Sequence, residues 1–201
     1  MTYETKDGLH VQVVAQMRAW LERAVIGLNL CPFAKGVHVK GQIHYVVSEA
    51  RTADELLSDL KRELGALTAE SEMVRDTSLL MAPYCLSDFF DFNDFLGDAE
   101  DLLHDMGLAG VLQIASFHPQ FQFAGVAQDD ISNYTNRAPY PTLHLLRESS
   151  IDRAVEAFPE AEMIYEKNID TLQRLGHAGW EALGLGGKTG EQIKQATGGG
   201  E

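Results

Sequence analysis

Apolar positions along this chain alternate between a helical spacing of three and four and short extended runs, and that switching outlines a fold. From Leu9 to Leu28, Val14, Met17, Leu21, Val25 and Leu28 recur at helical spacing while Gln12, Gln16, Glu22 and Arg23 take the other side. The pattern predicts an amphipathic helix, ended by Pro32, because the residue before a proline is pushed away from helical angles. Ile43 to Val47 reads as a short strand. Thr52 and Glu55 then form a capping-box pattern that opens a helix through Leu56, Leu57, Leu60, Leu64 and Leu67. Ser78 to Ala82 reads as a buried strand stopped by Pro83, and Ser87 is placed to cap a helix running to Met106 and closed by Gly107 and Gly110.

Val111 to Phe117 is the third strand, giving a strand, helix, strand, helix, strand order. Right-handed crossovers would make these three strands parallel. A fourth extended stretch, Thr142 to Glu148, follows a long polar loop, and two helices, Ile151 to Ala157 and Ala161 to Leu183, complete the chain. The expectation is an α/β fold: a small mixed sheet with a parallel β-α-β-α-β core, flanked by helices, with an N-terminal helix and two C-terminal ones. A single domain over 1–185 is followed at 186–201 by a Gly-rich segment with too few apolar residues to offset the entropy of ordering, read as a flexible tail. Gly187-Lys188-Thr189 in that tail imitates the end of a phosphate loop, but the glycine required earlier falls at Ala182, and a helix rather than a strand precedes it.

Composition narrows the class. With 201 residues, 45% of them hydrophobic, the chain can bury one substantial core. Its net charge of -14, from 30 acidic and 16 basic residues, repels a phosphate backbone and argues against nucleic-acid binding. Only Cys31 and Cys85 are present, without Cys-x-x-Cys spacing, so neither a disulfide framework nor a zinc-ribbon ligand set is expected. Reduced thiols, an N-terminus lacking signal-peptide character and the absence of a long apolar run together predict a cytoplasmic protein with no membrane partner.

Candidate chemistry falls in three segments. In Leu30-Cys31-Pro32-Phe33-Ala34-Lys35, Cys31 is a candidate nucleophile if positive charge stabilises its thiolate. The nearby helix carboxyl end would instead raise its pKa, which favours a packed structural thiol. In Ala115-Ser116-Phe117-His118-Pro119, Ser116 and His118 alternate onto one face at the carboxyl end of a strand, where open α/β sheets place their ligands. Ser87, on the loop after the second strand, would open on the same edge. The plainer reading is that His118 uses its ring nitrogens to tie down the proline turn. In Asn133-Tyr134-Thr135-Asn136-Arg137-Ala138-Pro139-Tyr140-Pro141, two prolines stiffen a loop on which Arg137 can present its planar fork to a carboxylate or phosphate, helped by Asn136. On the following strand His144 points into either the core or a cleft floor, and Arg147 is a further ligand-binding candidate or an ordinary ion-pair partner of Glu148.

Taken together, Leu-Cys-Pro-Phe-Ala at 30 to 34, Ala-Ser-Phe-His-Pro at 115 to 119, Thr-Asn-Arg-Ala-Pro-Tyr-Pro at 135 to 141 and Leu-His-Leu-Leu-Arg-Glu at 143 to 148 resemble the bacterial family catalogued as domain of unknown function 1415. The resemblance runs from about Trp20 to Leu183 and takes in Asn168 and Gly176-His177-Ala178-Gly179-Trp180. It implies no particular activity, substrate or cofactor.

Three functions fit these residues. The first is an enzyme, of hydrolase or transferase type, acting on a small anionic metabolite, with His118 as general acid or base, His144 assisting and Arg137 and Asn136 holding the anion. The second is a metal site built from Cys31, His118 and His144, with Asp88 or water completing the shell. The third is a noncatalytic binding or assembly module using the segment Asp88-Phe89-Phe90-Asp91-Phe92-Asn93-Asp94-Phe95, whose four phenylalanines cannot share one helical face.

Overall fold

A computed structural model describes residues 3–158 and 160–185; the expected tail at 186–201, with its Gly-Lys-Thr sequence, lies outside the described residues. In chain order the elements are α1 (Tyr3–Trp20), continued by a π-helical turn at Leu21–Ile26, then α2 (Ala34–Val39), β1 (Ile43–Val47), α3 (Ala53–Ala69), β2 (Thr77–Met81), α4 (Phe89–Asp105), β3 (Leu112–Phe117), a 3-10 helix at Ile131–Asn136, β4 (Thr142–Arg147), α5 (Glu148–Ala157) and α6 (Ile164–Ala182). The short helix α2 carries too few residues for its period to show in the sequence.

The helix starts follow side-chain chemistry. Thr52 accepts the Glu55 N–H at 3.2 Å, and the Glu55 carboxylate reaches back to accept the N–H of Arg51, the residue before the cap, at 2.7 Å, a one-residue variant of the capping box at α3. At α4 the cap is Asp88 rather than Ser87: its Oδ1 accepts the N–H groups of Phe90 and Asp91. A carboxylate in that place also meets the positive end of the helix dipole, an advantage that the neutral serine lacks. Gly107, at φ 68°, ends α4 in the left-handed region open to a residue without Cβ.

The sheet order is β1-β2-β4-β3. β1 and β2 pair in parallel, whereas β4 pairs antiparallel with both β2 and β3. It follows that β1, β2 and β3 all run the same way, as the strand-helix-strand order implies, with β4 inserted between the second and third. Strand alternation then sorts the core. Leu80, Ala82, Leu112, Leu143 and Leu145 face α3 and α4, where they meet Leu56, Leu60, Leu64, Phe92 and Phe95. Leu79 and Met81 face the opposite side, against Val13, Met17 and Trp20 of α1, with Trp180 of α6 packed at the margin. Among the four phenylalanines of α4, Phe92 and Phe95 are buried and Phe90 is exposed.

One ion pair is sunk in this framework. Arg75 Nη2 meets Glu63 Oε2 of α3 at 2.6 Å while its Nε donates to Ser78 Oγ at 2.8 Å, and both charged residues are buried. Removing one member leaves the other charged and dry, which costs about 3–5 kcal/mol, whereas removing both costs far less. We therefore expect Arg75→Met to lower stability in urea denaturation by about 3 kcal/mol or more, and Arg75→Met combined with Glu63→Leu to recover most of that loss.

Candidate functional site

The loops after β2 and β3 meet, and His118 is what joins them. Its ring is fully buried, close to parallel with Phe92 at a centroid distance of 5.1 Å and beside Phe89 at 5.5 Å. Nδ1 accepts the Gln120 N–H at 3.0 Å, so the ring proton sits on Nε2, which donates to the Leu86 carbonyl at 3.1 Å. That second bond holds Leu86 at φ 52°, a left-handed conformation that a bulky side chain rarely adopts. Burial pushes the His118 pKa down to about 4; the Leu86 carbonyl and Asp88 oppose the shift, and Arg137 adds to it. The residue is a neutral staple between two loops, with no ring nitrogen left for a substrate.

His144 lies on the other face of the sheet. Thr77 Oγ1 donates to the Leu145 carbonyl at 2.6 Å and so receives the Nε2–H of His144 at 2.7 Å. Burial takes its pKa to about 4 as well. Because His118 belongs to the face carrying Leu112, Leu143 and Leu145 while His144 shares the face of Leu79, the sheet itself separates the two rings. The expected convergence of His118 with His144 therefore does not occur. The metal set of Cys31, His118 and His144 fails with it, and among the described residues no group of three or more His, Cys, Asp or Glu side chains stands close enough to hold an ion.

The remaining candidates take structural positions. Asn136 donates from Nδ2 to the Ser116 carbonyl at 3.3 Å and accepts the His118 N–H on its own carbonyl at 3.2 Å, closing the end of β3. Ser116 enters this arrangement through its main chain. Arg147 is not paired with Glu148; its guanidinium reaches the carbonyls of Leu67, Glu70 and Arg75 at 2.6, 2.8 and 3.1 Å, tying down the end of α3. Cys31 is partly buried, with its pKa raised by that burial rather than by a helix end, and the N–H groups of Phe33 and Ala34 oppose the shift.

Arg137 is the member of the expected set that lines a cleft. It lines a cleft of about 540 Å³ beyond β3, together with Pro119, Gln120, Gln128, Asp129, Tyr134 and His177. Its Nε donates to the Phe121 carbonyl at 3.2 Å and one Nη2 hydrogen to the Gln128 carbonyl at 2.6 Å. The guanidinium lies over the Tyr134 ring at 4.2 Å, and the Arg137 carbonyl accepts the Trp20 indole N–H at 2.8 Å. Main-chain carbonyls and an aromatic face thus fix a full positive charge without neutralising it. No carboxylate pairs with Arg137 among the described residues.

His177 reaches the cleft because α6 is broken. Gly176 takes φ 63° and ψ 174°, a region essentially closed to residues with a side chain, and the helix restarts in a new direction. The break sets the exposed His177 ring edge-on to Tyr134 at 5.4 Å, next to Trp180 at 5.1 Å from the same tyrosine. The Ser132 hydroxyl and N–H hold the Asp130 carboxyl below its usual range, with a smaller contribution from His177. Nothing in the local spacing of Tyr134, Gln120, Gln128, Asp129 and His177 marks them as site residues. The one local signal was a glycine interrupting a helical pattern just before a histidine.

The two buried imidazoles make stability depend on pH in a definite direction. Their folded pKa near 4 lies below the unfolded value near 6.5, so the unfolded chain binds more protons in that interval. Stability is full above about pH 6.5 and falls toward pH 4, by about 3 kcal/mol for each histidine. Urea titrations at pH 7 and pH 4.5 should show this loss, and His144→Gln should show a shallower dependence than the parent protein.

No helix among the described residues is long and apolar enough to cross a membrane. Neither a curated protein nor a solved structure matches the chain. A family model described as a protein of unknown function does match, over residues 12–182, a span that holds both the sheet and every residue of the cleft. The chain therefore belongs to the DUF1415 family.

Proposed function

We propose that this protein binds a small anionic metabolite in the cleft beyond β3, with Arg137 as the anchor and His177 as the side chain placed to exchange a proton with it. The observation that carries the reading is the state of the Arg137 guanidinium. Two of its N–H groups are spent on main-chain carbonyls, and the Nη1 hydrogens and the second Nη2 hydrogen have no partner among the described residues. A planar fork already held in place loses little further entropy on meeting a carboxylate or phosphate and can contact two of its oxygens at once.

The proton-handling role expected of His118 fits His177 better. An acid or base must reach its substrate, and His118 spends both ring nitrogens on the protein whereas His177 is exposed at the cleft wall. A cytoplasmic setting suits the same reading, since both cysteines are free thiols.

Titration of the protein with acetate, succinate and inorganic phosphate, followed by amide NMR, tests the anchor. Binding should shift resonances of Gln120, Gln128 and Arg137, and Arg137→Lys, which keeps the charge but loses the fork, should weaken it about tenfold or more. A parent protein that binds none of the three anions, or a lysine variant that binds them equally well, would show the reading to be wrong.

A further inference from the structure

The second charge in the cleft narrows the ligand. Asp129 lines the same space as Arg137, yet among the described residues neither enters an ion pair. Opposite charges on a flexible loop would be free to close on each other. Here the main chain prevents it. Gln128, the residue before Asp129, has its carbonyl held by Arg137 Nη2 at 2.6 Å and by Asn133 Nδ2 at 3.3 Å. Asp130, the residue after, donates its N–H to the Ala127 carbonyl at 3.0 Å, while its carboxylate accepts the Ser132 N–H at 2.8 Å and caps the 3-10 helix. Asp129 is thus carried on a backbone pinned on both sides, one of the pins being Arg137 itself.

A bare anion entering such a cleft meets attraction at Arg137 and repulsion at Asp129, within a protein whose net charge of -14 already opposes it. A molecule that carries an ammonium group beside its carboxylate turns the second contact from repulsive to attractive. Building on the anion-binding reading above, we infer that the ligand is a zwitterion of amino-acid or dipeptide size, its carboxylate on the Arg137 fork and its ammonium on Asp129. A cleft of about 540 Å³ leaves room for a side chain or a second residue, and the amide groups of Gln120 and Gln128 at the wall can both donate and accept hydrogen bonds to it.

The test is a calorimetric and NMR titration of the full chain with the α-amino acids and a set of dipeptides. Each is matched against its deaminated carboxylic acid, in the parent protein and in Asp129→Asn. The expected result is at least one amino compound bound about tenfold or more tightly than its deaminated counterpart, with that preference lost in Asp129→Asn while the deaminated acid binds as well as before or better. The amino-acid and dipeptide arms separate the two sizes of ligand. If deaminated acids bind through Arg137 as tightly as amino compounds, or if Asp129→Asn keeps the preference, the zwitterion inference is overturned and the anion site stands. If neither class binds, both fall together.

Discussion

The insertion of β4 between β2 and β3 is the constraint on which the rest of this structure depends. Three strands running one way and joined through helices would form a parallel sheet on their own. Antiparallel β4 pairs with both β2 and β3, and so separates the two and leaves β3, at the sheet edge, bonded to β4 alone. An edge strand has a neighbour on one side only, so the chain leaving its carboxyl end is free to run outward as a long segment instead of turning at once into the next layer. That segment, from His118 to Pro141, supplies six of the seven cleft residues. The same insertion, through strand alternation, assigns His118 and His144 to opposite faces.

A segment of this length whose regular structure is limited to the 3-10 helix at Ile131–Asn136 must still satisfy its buried main-chain groups, and polar side chains do much of that. Asn133 accepts the Phe123 N–H and donates to the carbonyls of Ala127 and Gln128. Asn136 closes the end of β3, His118 joins the neighbouring loop, and Trp20 reaches from α1 to the Arg137 carbonyl. Most of the polar residues that look like chemistry in this stretch are therefore framework. Arg137 serves both ends: its inner N–H groups hold the loop and its outer ones face the cleft. Rigidity and an unneutralised charge arise from one side chain, and that combination favours binding with little reorganisation.

Two of the unusual backbone conformations bear on the segments around the cleft. Leu86 takes a left-handed conformation with its carbonyl bonded to His118, which joins the loop after β2 to the one after β3. Gly176 breaks α6 so that His177 turns toward Tyr134 while Asn168, earlier on the same helix, stays buried and donates to the Leu30 carbonyl at 2.9 Å. Without the break, one continuous helix would carry both residues along a single axis. The glycine lets the first part serve packing and the second serve the cleft.

The sequence by itself determined the four strands, the longer helices and the fold class. Helical spacing in α1 and α3, the Thr52 and Glu55 capping box, the stop at Gly107 and the apolar runs of β1 to β4 are local properties, fixed by side chains a few positions apart. The carboxyl end of β3 and the Arg137 loop stand out as candidate functional ground for equally local reasons, strand polarity and a stiff cationic turn. Tertiary structure alone decided which residues meet. The place of β4 in the sheet rests on contacts between positions some seventy residues apart, and it set His118 and His144 on opposite faces of the sheet. It likewise committed Arg147 to the end of α3 and brought His177 and Asp129 to Arg137. Spacing along a chain encodes which face of its own element a side chain takes; what stands opposite that face is set by how the elements pack.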